Sequence, residues 1–233
     1  MNDAPPPHFR TVRSFVRRSG RVTAAQQRAL DECWRRFGVD FTAQPIDLDA
    51  LFQRAAPRTL EIGFGNGEHL LARAVAEPQR DFLGAEVHTA GVGQLLNCAA
   101  HAGVSNIRVI SHDAIEVLQA QIAPQALDEV QILFPDPWPK ARHHKRRLIQ
   151  PAFIELVASR LVAGGRLMLA TDWAPYAAHM QEVLAQCPLF ESQAGGAAAP
   201  DGAAVPPRAP TRFERRGLRL GHTVSEFCYR RRA

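Results

Sequence analysis

Cysteine is scarce and scattered in this sequence. Cys33, Cys98, Cys187 and Cys228 lie far apart and form no C-x-x-C pair, which excludes a zinc ribbon and argues against a disulfide scaffold. No apolar run approaches the roughly 20 residues that cross a bilayer, so no membrane partner is expected. A basic start followed by an apolar stretch and a small-residue cleavage site is missing, so no secretory signal is expected either. His143 and His144 are adjacent and lack the spacing of a metal pair, and no metal is expected. Ser14 and Ser225 have no His and acid partners of the kind nucleophilic catalysis needs. No internal repeat is present. These absences leave a soluble, cytoplasmic protein, with monomer and homodimer both open.

Acidic residues are missing altogether between Asp3 and Asp31, a span that holds Arg10, Arg13, Arg17, Arg18, Arg21 and Arg28. A second basic block, KARHHKRR, brings Lys140, Arg142, Lys145, Arg146 and Arg147 together around the two histidines. A third runs from Arg208 through Arg212, Arg215, Arg216 and Arg219 to Arg230, Arg231 and Arg232. Any one run reads as a solvated face. Three of them, in a chain of net charge +5 from 28 basic and 23 acidic side chains, point to a polyanionic partner, because guanidinium forks match phosphate geometry. Nucleic acid is the expected partner, and the 142–147 block is expected to be exposed to meet it.

The 233 residues, 46% hydrophobic and 22% charged, suit one large α/β domain with a full core and exclude global disorder. Residues 1–22 read as a flexible basic arm, and 23–233 as a single domain broken by a flexible Gly/Ala/Pro-rich loop at 193–210. Thr23 opens a helix with Leu30 and Trp34 at i, i+4 spacing. Strands are expected at 59–64, 81–87, 106–112, 129–134 and 166–171. Between them lie helices at 67–77, 89–102, 114–122, 151–162 and 174–187. Two strand-like runs, TRFERRG and TVSEFCYRR, would close the sheet as a partly antiparallel hairpin. The expectation is a doubly wound, Rossmann-like sheet, mostly parallel, seven-stranded, with an antiparallel C-terminal edge.

Glu61-Ile-Gly-Phe-Gly-Asn-Gly67 follows the first strand and opens a helix, so Gly63 and Gly65 sit where a ligand must approach backbone closely. The spacing is G-x-G-x-G, a weak signal shared by many nucleotide-binding folds. Carboxylates at later strand ends narrow it. Glu86 is placed to accept ribose hydroxyls and Asp113 an adenine amino group, while Glu61 adds negative charge beside the turn. A dinucleotide pyrophosphate would be repelled by three acids. S-adenosylmethionine has no phosphate but has an ammonium, a sulfonium and an adenosine, and suits them better. The plain alternative is that Glu86 and Asp113 only cap the helices that follow.

Leu133-Phe-Pro-Asp-Pro-Trp-Pro-Lys140 is the most distinctive segment. Two prolines stiffen the turn around Asp136 at the end of the fourth strand, directly before the basic block. The turn resembles the [N/D]-P-P-[aromatic] motif of nucleic-acid amino-methyltransferases. RSFVRRSGR (13–21), LEIGFGNGEHL (60–70), FLGAEVHTAGVG (82–93), HDAIEVL (112–118), FPDPWPKARHHKRR (134–147), ATDWAPYAAHM (170–180) and TRFERRG (211–217) together resemble the bacterial tRNA (guanine-N7-)-methyltransferases. The resemblance implies a class I S-adenosylmethionine-dependent methyltransferase fold. It also implies methyl transfer to N7 of the variable-loop guanine, position 46 in standard tRNA numbering. The family's cofactor carboxylates fall on Glu61, Glu86 and Asp113, with Asp136 beside both cofactor and base as the catalytic candidate. Its RNA-substrate positions fall on Lys140, Asp172 and the run Thr211, Arg212, Phe213 and Glu214. Arg142, His143, His144, Lys145, Arg146 and Arg147 contact RNA by the same carry-over. The sequence departs from the family at Pro139, where many members have His, and in the Ala/Gly-rich loop.

The chemistry agrees with that inventory. Guanine N7 has an in-plane lone pair, so alignment matters more than a strong base. A fixed carboxylate, Asp136 or Asp172, can stabilise the positive charge that develops, or accept from guanine N1–H and the 2-amino group. Asp172 also reads as an N-cap of the helix starting at Ala174. Trp138 suits base stacking and core packing equally. The residues alone leave three rivals open. One is an exocyclic-amine methyltransferase acting on adenine or cytosine. Another is an NAD-dependent dehydrogenase, which leaves the basic blocks unexplained. The third is a noncatalytic RNA-binding protein that kept the fold.

Overall fold

Thr23 sets the first helix by a capping box: its Oγ1 accepts from the Gln26 N–H at 3.3 Å while Gln26 Oε1 accepts from the Thr23 N–H at 2.9 Å. The structure, a computed structural model, describes residues 14–15, 21–193, 214–215, 221 and 223–233. Most of the 1–22 arm, the 194–210 part of the expected loop, and Thr211, Arg212 and Phe213 therefore lie outside the described residues. Helix α1 (Ala24–Phe37) turns straight into a two-residue strand, β1 (Gly38–Val39). Helix α2 (Leu48–Phe52), capped by Asp47, was not expected from the sequence.

The alternation then follows the sequence reading closely. In chain order come β2 (Arg58–Ile62), α3 (Glu68–Ala76), β3 (Asp81–Ala85), α4 (Thr89–Ala102), β4 (Ile107–Ile110), α5 (Ala114–Ala120) and β5 (Leu127–Leu133). After a 3-10 helix (Ala141–Arg146) come α6 (Pro151–Arg160), β6 (Leu161–Thr171), α7 (Ala174–Ala185), β7 (Phe190–Ser192) and β8 (Ser225–Arg231). The sheet has eight strands, one more than expected, in the order β1-β4-β3-β2-β5-β6-β8-β7. Strands β1 to β6 pair in parallel, and β8 runs antiparallel to both β6 and β7. The antiparallel edge is as expected, but its composition is not. The partner of β8 in the edge hairpin is β7, and the described residues of the TRFERRG run, Glu214 and Arg215, are helical.

Period-2 alternation sends Leu60, Ile62, Val130, Ile132, Leu167 and Leu169 into a core shared with α5, α6 and α7. Phe82, Ile107 and Val109 enter a second core with α1, α3 and α4. On that second face β5 presents Glu129 rather than an apolar side chain, and it is fully buried. Arg73 from α3 and Arg166 from β6 both pair with its carboxylate. Arg73 also holds Glu77 at 2.7 Å, and Asn106 Nδ2 donates to the Ala74, Glu77 and Arg80 carbonyls. Burial pushes the Glu129 carboxyl up, but Arg73 and Arg166 outweigh it and hold it below its ordinary value.

Removing one partner of such a buried cluster leaves uncompensated charge. Glu129→Ala should lower the unfolding free energy by about 3–5 kcal/mol in urea titrations. Because the folded-state value is depressed, the wild-type contribution is complete above the unfolded carboxylate range and is lost as pH falls through the folded value. The variant should therefore show a shallower acid limb, read from melts over a pH series.

Candidate active site at the carboxyl ends of the strands

Strand order reverses between β2 and β5, so the chain leaving β2 and the chain leaving β5 diverge and open a crevice beyond their carboxyl ends. One lip is the glycine turn. Gly63, Gly65 and Gly67 have φ of +72°, +58° and +75°, a region L side chains rarely adopt. A Cβ at Gly63 would meet nothing within 4 Å, whereas one at Gly67 would strike Leu95 at 2.7 Å. Open space lies on one side of the turn and packed helix α4 on the other.

Three carboxylates stand around this lip. The Gly65 N–H donates to Glu86 Oε2 at 2.8 Å, and Glu86 Oε1 accepts from the Val87 and His88 N–H groups at 2.6 and 2.9 Å. Glu86 thus laces the end of β3 to the glycine turn. Asp113 Oδ1 accepts from the Ile115 N–H at 2.9 Å and caps α5. Glu61 is buried, with its Oε2 2.9 Å from His69 Nδ1 in the first turn of α3. The capping reading is realised at Asp113, which retains a second oxygen for a ligand.

The opposite lip is the Pro-Asp-Pro turn. The Phe134 N–H donates to the Ala170 carbonyl at 2.8 Å, extending the sheet by one bond before the chain departs. Phe134 and Trp138 then take φ of +53° and +46°, strained values for residues with a Cβ, and they bracket Pro135, Asp136 and Pro137. Several contacts hold the strain. The Trp138 indole N–H donates to the Ser14 carbonyl at 3.0 Å, and the Arg146 guanidinium lies 5.0 Å over the Trp138 ring. Arg147 Nε donates to the Pro137 carbonyl at 3.0 Å, and the same guanidinium lies 5.0 Å from the Tyr176 ring. Asp136 itself is exposed at the crest of the turn.

Arg147 corrects the sequence reading. It is 4% exposed and turned inward, because Pro137 and Tyr176 offer its guanidinium partners beneath the turn. Lys140, Arg142 and Lys145 are exposed, and His143, His144 and Arg146 are half-buried. His143 is pushed below its ordinary value, by burial and then by Arg142, Arg146, Lys140 and Lys145 around it, so it is neutral at pH 7. Burial pushes the Tyr176 phenol up to about 12, and its oxygen accepts from the Ile149 N–H at 3.2 Å, so Tyr176 is a neutral support and not a base.

At the end of β6, Asp172 is half-buried. It is not the N-cap of α7. Trp173 is, without a side-chain cap bond. Glu214 is half-buried, and its neighbour Arg215 pairs with Glu68 at the start of α3. From sequence His69 reads as a packed or capping histidine, and it is packed; its pairing with Glu61, the Arg147–Tyr176 contact and the Ser14–Trp138 bond were missed. Each joins residues of separate elements, with no spacing rule to reveal it.

A family model described as "Putative methyltransferase" matches residues 55–227. The tRNA (guanine-N(7)-)-methyltransferase of Halorhodospira halophila is 55% identical over 96% of this chain and 96% of its own length. That of Leifsonia xyli subsp. xyli is 55% identical over 94% and 95%. The chain belongs to the tRNA (guanine-N(7)-)-methyltransferase family. Solved structures more distant in sequence share the fold: the 16S rRNA methyltransferase KamB superposes with a TM-score of 0.58 at 15% identity, covering 82% of this chain and 95% of that one.

The cofactor of this methyltransferase is S-adenosylmethionine, and the glycine lip fits it. Backbone at Gly63 is open to a ligand, and Glu61 is a buried carboxylate beside it. Among the described residues no helix is long and apolar enough to cross a membrane.

The two arginines that end the basic block should separate in a thermal melt. Arg147→Ala removes a charged hydrogen bond and a cation–π contact and should cost about 1–3 kcal/mol of stability. Arg146→Ala, at a half-exposed position, should cost under about 1 kcal/mol.

Proposed function

We propose that this enzyme transfers the methyl group of S-adenosylmethionine to N7 of the variable-loop guanine of tRNA, position 46 in standard numbering, in the cytoplasm. The observation that carries the reading is the braced Pro-Asp-Pro turn. It presents the exposed Asp136 carboxylate across the crevice from the glycine lip, and the cationic Lys140–Arg146 surface begins four residues later.

Glu61, Glu86 and Asp113 would hold the ammonium, ribose and adenine ends of the cofactor, with Gly63 and Gly65 admitting it to the backbone. When bound, the cofactor supplies a sulfonium-activated methyl group. The protein's part is alignment and charge. Asp136 accepts from the edge of guanine or stabilises the positive charge that develops on its imidazole half, and Asp172 faces the same task from the end of β6. No proton needs to leave N7 before attack, which agrees with a site where Tyr176 is neutral and no strong base stands at the crest. Lys140, Arg142, His143, His144, Lys145 and Arg146 meet the tRNA backbone, and the family resemblance assigns RNA contact to Thr211, Arg212, Phe213 and Glu214 as well. Arg147 serves the turn from below instead.

Methyl-labelled S-adenosylmethionine and a tRNA transcript test the reaction, with nucleoside analysis of the product. N7-methylguanosine, lost when guanine 46 is replaced, is the expected result. N6-methyladenosine, or no incorporation, would overturn the assignment.

Asp136→Ala should leave the fold intact and lower single-turnover kcat by ~10²–10³, the scale of one preorganised electrostatic partner. Asp136→Asn keeps the shape and one acceptor, so an equal loss identifies charge as the contribution and a mild one identifies hydrogen bonding.

A further inference from the structure

Glu61 is 3% exposed and His69 is 3% exposed, yet the two meet at 2.9 Å beneath the glycine lip. A carboxylate offers no hydrogen, so His69 Nδ1 must carry the proton and donate it to Glu61 Oε2. No other hydrogen bond to Glu61 forms among the described residues. Among the described residues its second oxygen has no protein donor, and it lies beside a turn with open space at Gly63.

The cations of this sheet face do not relieve it. Arg73, one turn further along α3, is engaged by Glu129 and Glu77, and Arg166 by Glu129. Gln131, in register with Glu61 on the next strand, turns its Nε2 to Glu129. The His69 ring thus anchors one oxygen of a buried carboxylate and leaves the other to a ligand. Such an arrangement is incomplete until a cation reaches the other oxygen.

We infer that His69 is a positioning residue for the cofactor's ammonium group, fixing the plane of the Glu61 carboxylate so that its free oxygen faces that cation. This rests on Glu61 holding the ammonium, as proposed above. A residue that merely fills space would support the adenosine end and the amino-acid end of the ligand alike. His69 as assigned acts on the amino-acid end alone.

Calorimetric titration of the full-length protein with S-adenosylhomocysteine and with 5′-methylthioadenosine, which lacks the amino-acid end, separates these. His69→Phe keeps a ring but loses the N–H; it should weaken S-adenosylhomocysteine on the order of tenfold and leave 5′-methylthioadenosine within about twofold. His69→Asn, which can place an N–H near the position of Nδ1, should recover most of the loss. Equal weakening of both ligands, or none, would overturn the inference. Glu61→Gln is the companion. If it abolishes the preference for S-adenosylhomocysteine while His69→Phe retains it, the ammonium site stands and the role of His69 falls. If the wild type binds both ligands equally, the ammonium reading of Glu61 falls and this inference with it.

Discussion

Glu129 has no contact with water, and its charge survives only because Arg73 and Arg166 reach it from two other elements. The crevice at the other end of the sheet depends on that cluster. Arg73 belongs to the helix that the glycine turn opens, and Glu129 to the strand that ends in the Pro-Asp-Pro turn. Buried ions tolerate little displacement, since each must keep its partner or be left unpaired at great cost. The cluster at the amino ends of the strands therefore sets the two lips of the crevice, at the carboxyl ends, in fixed relation to each other.

The lips are made in opposite ways. At the glycine turn, positive φ costs nothing because the side chains are absent, and the space freed is given to a ligand. At the Pro-Asp-Pro turn, Phe134 and Trp138 adopt similar angles with full side chains, at roughly 1–3 kcal/mol each. Contacts from Ser14, Arg146 and Arg147 offset that cost. A carboxylate on a free loop would lose its aim. On this turn it is exposed and still held.

Much of the fold was legible because long periodic segments bury one face: five parallel strands and six helices lie within a few residues of where hydrophobic spacing puts them. What escaped was short or non-local. Strand β1 has two residues and β7 three, too few for any alternation to show. The first residues of β6 read as the tail of α6 because Val162, Ala163 and the glycines after them carry no strand pattern. In the site, glycines and strand-end acids were readable because backbone geometry demands the first and topology places the second. Arg146 and Arg147 are indistinguishable as letters, and it is the Pro137 carbonyl and Tyr176, packed in from α7, that turn one inward. His69 and Glu61 meet because a strand, a turn and a helix close on one another, which no linear pattern encodes.

The position of β8 has a consequence for how the chain is made. Among the described residues it is the last strand in sequence, yet it lies between β6 and β7, and β7 pairs with no other strand. A nascent chain that has produced everything through Ser192 has an open, hydrogen-bonding flank on β6 and a β7 with nothing to pair with. Bare strand flanks of that kind invite pairing with other chains. The sheet can be completed only when Ser225–Arg231 has left the ribosome and inserted between the two. Until then the chain through Ser192 depends on whatever shields that flank.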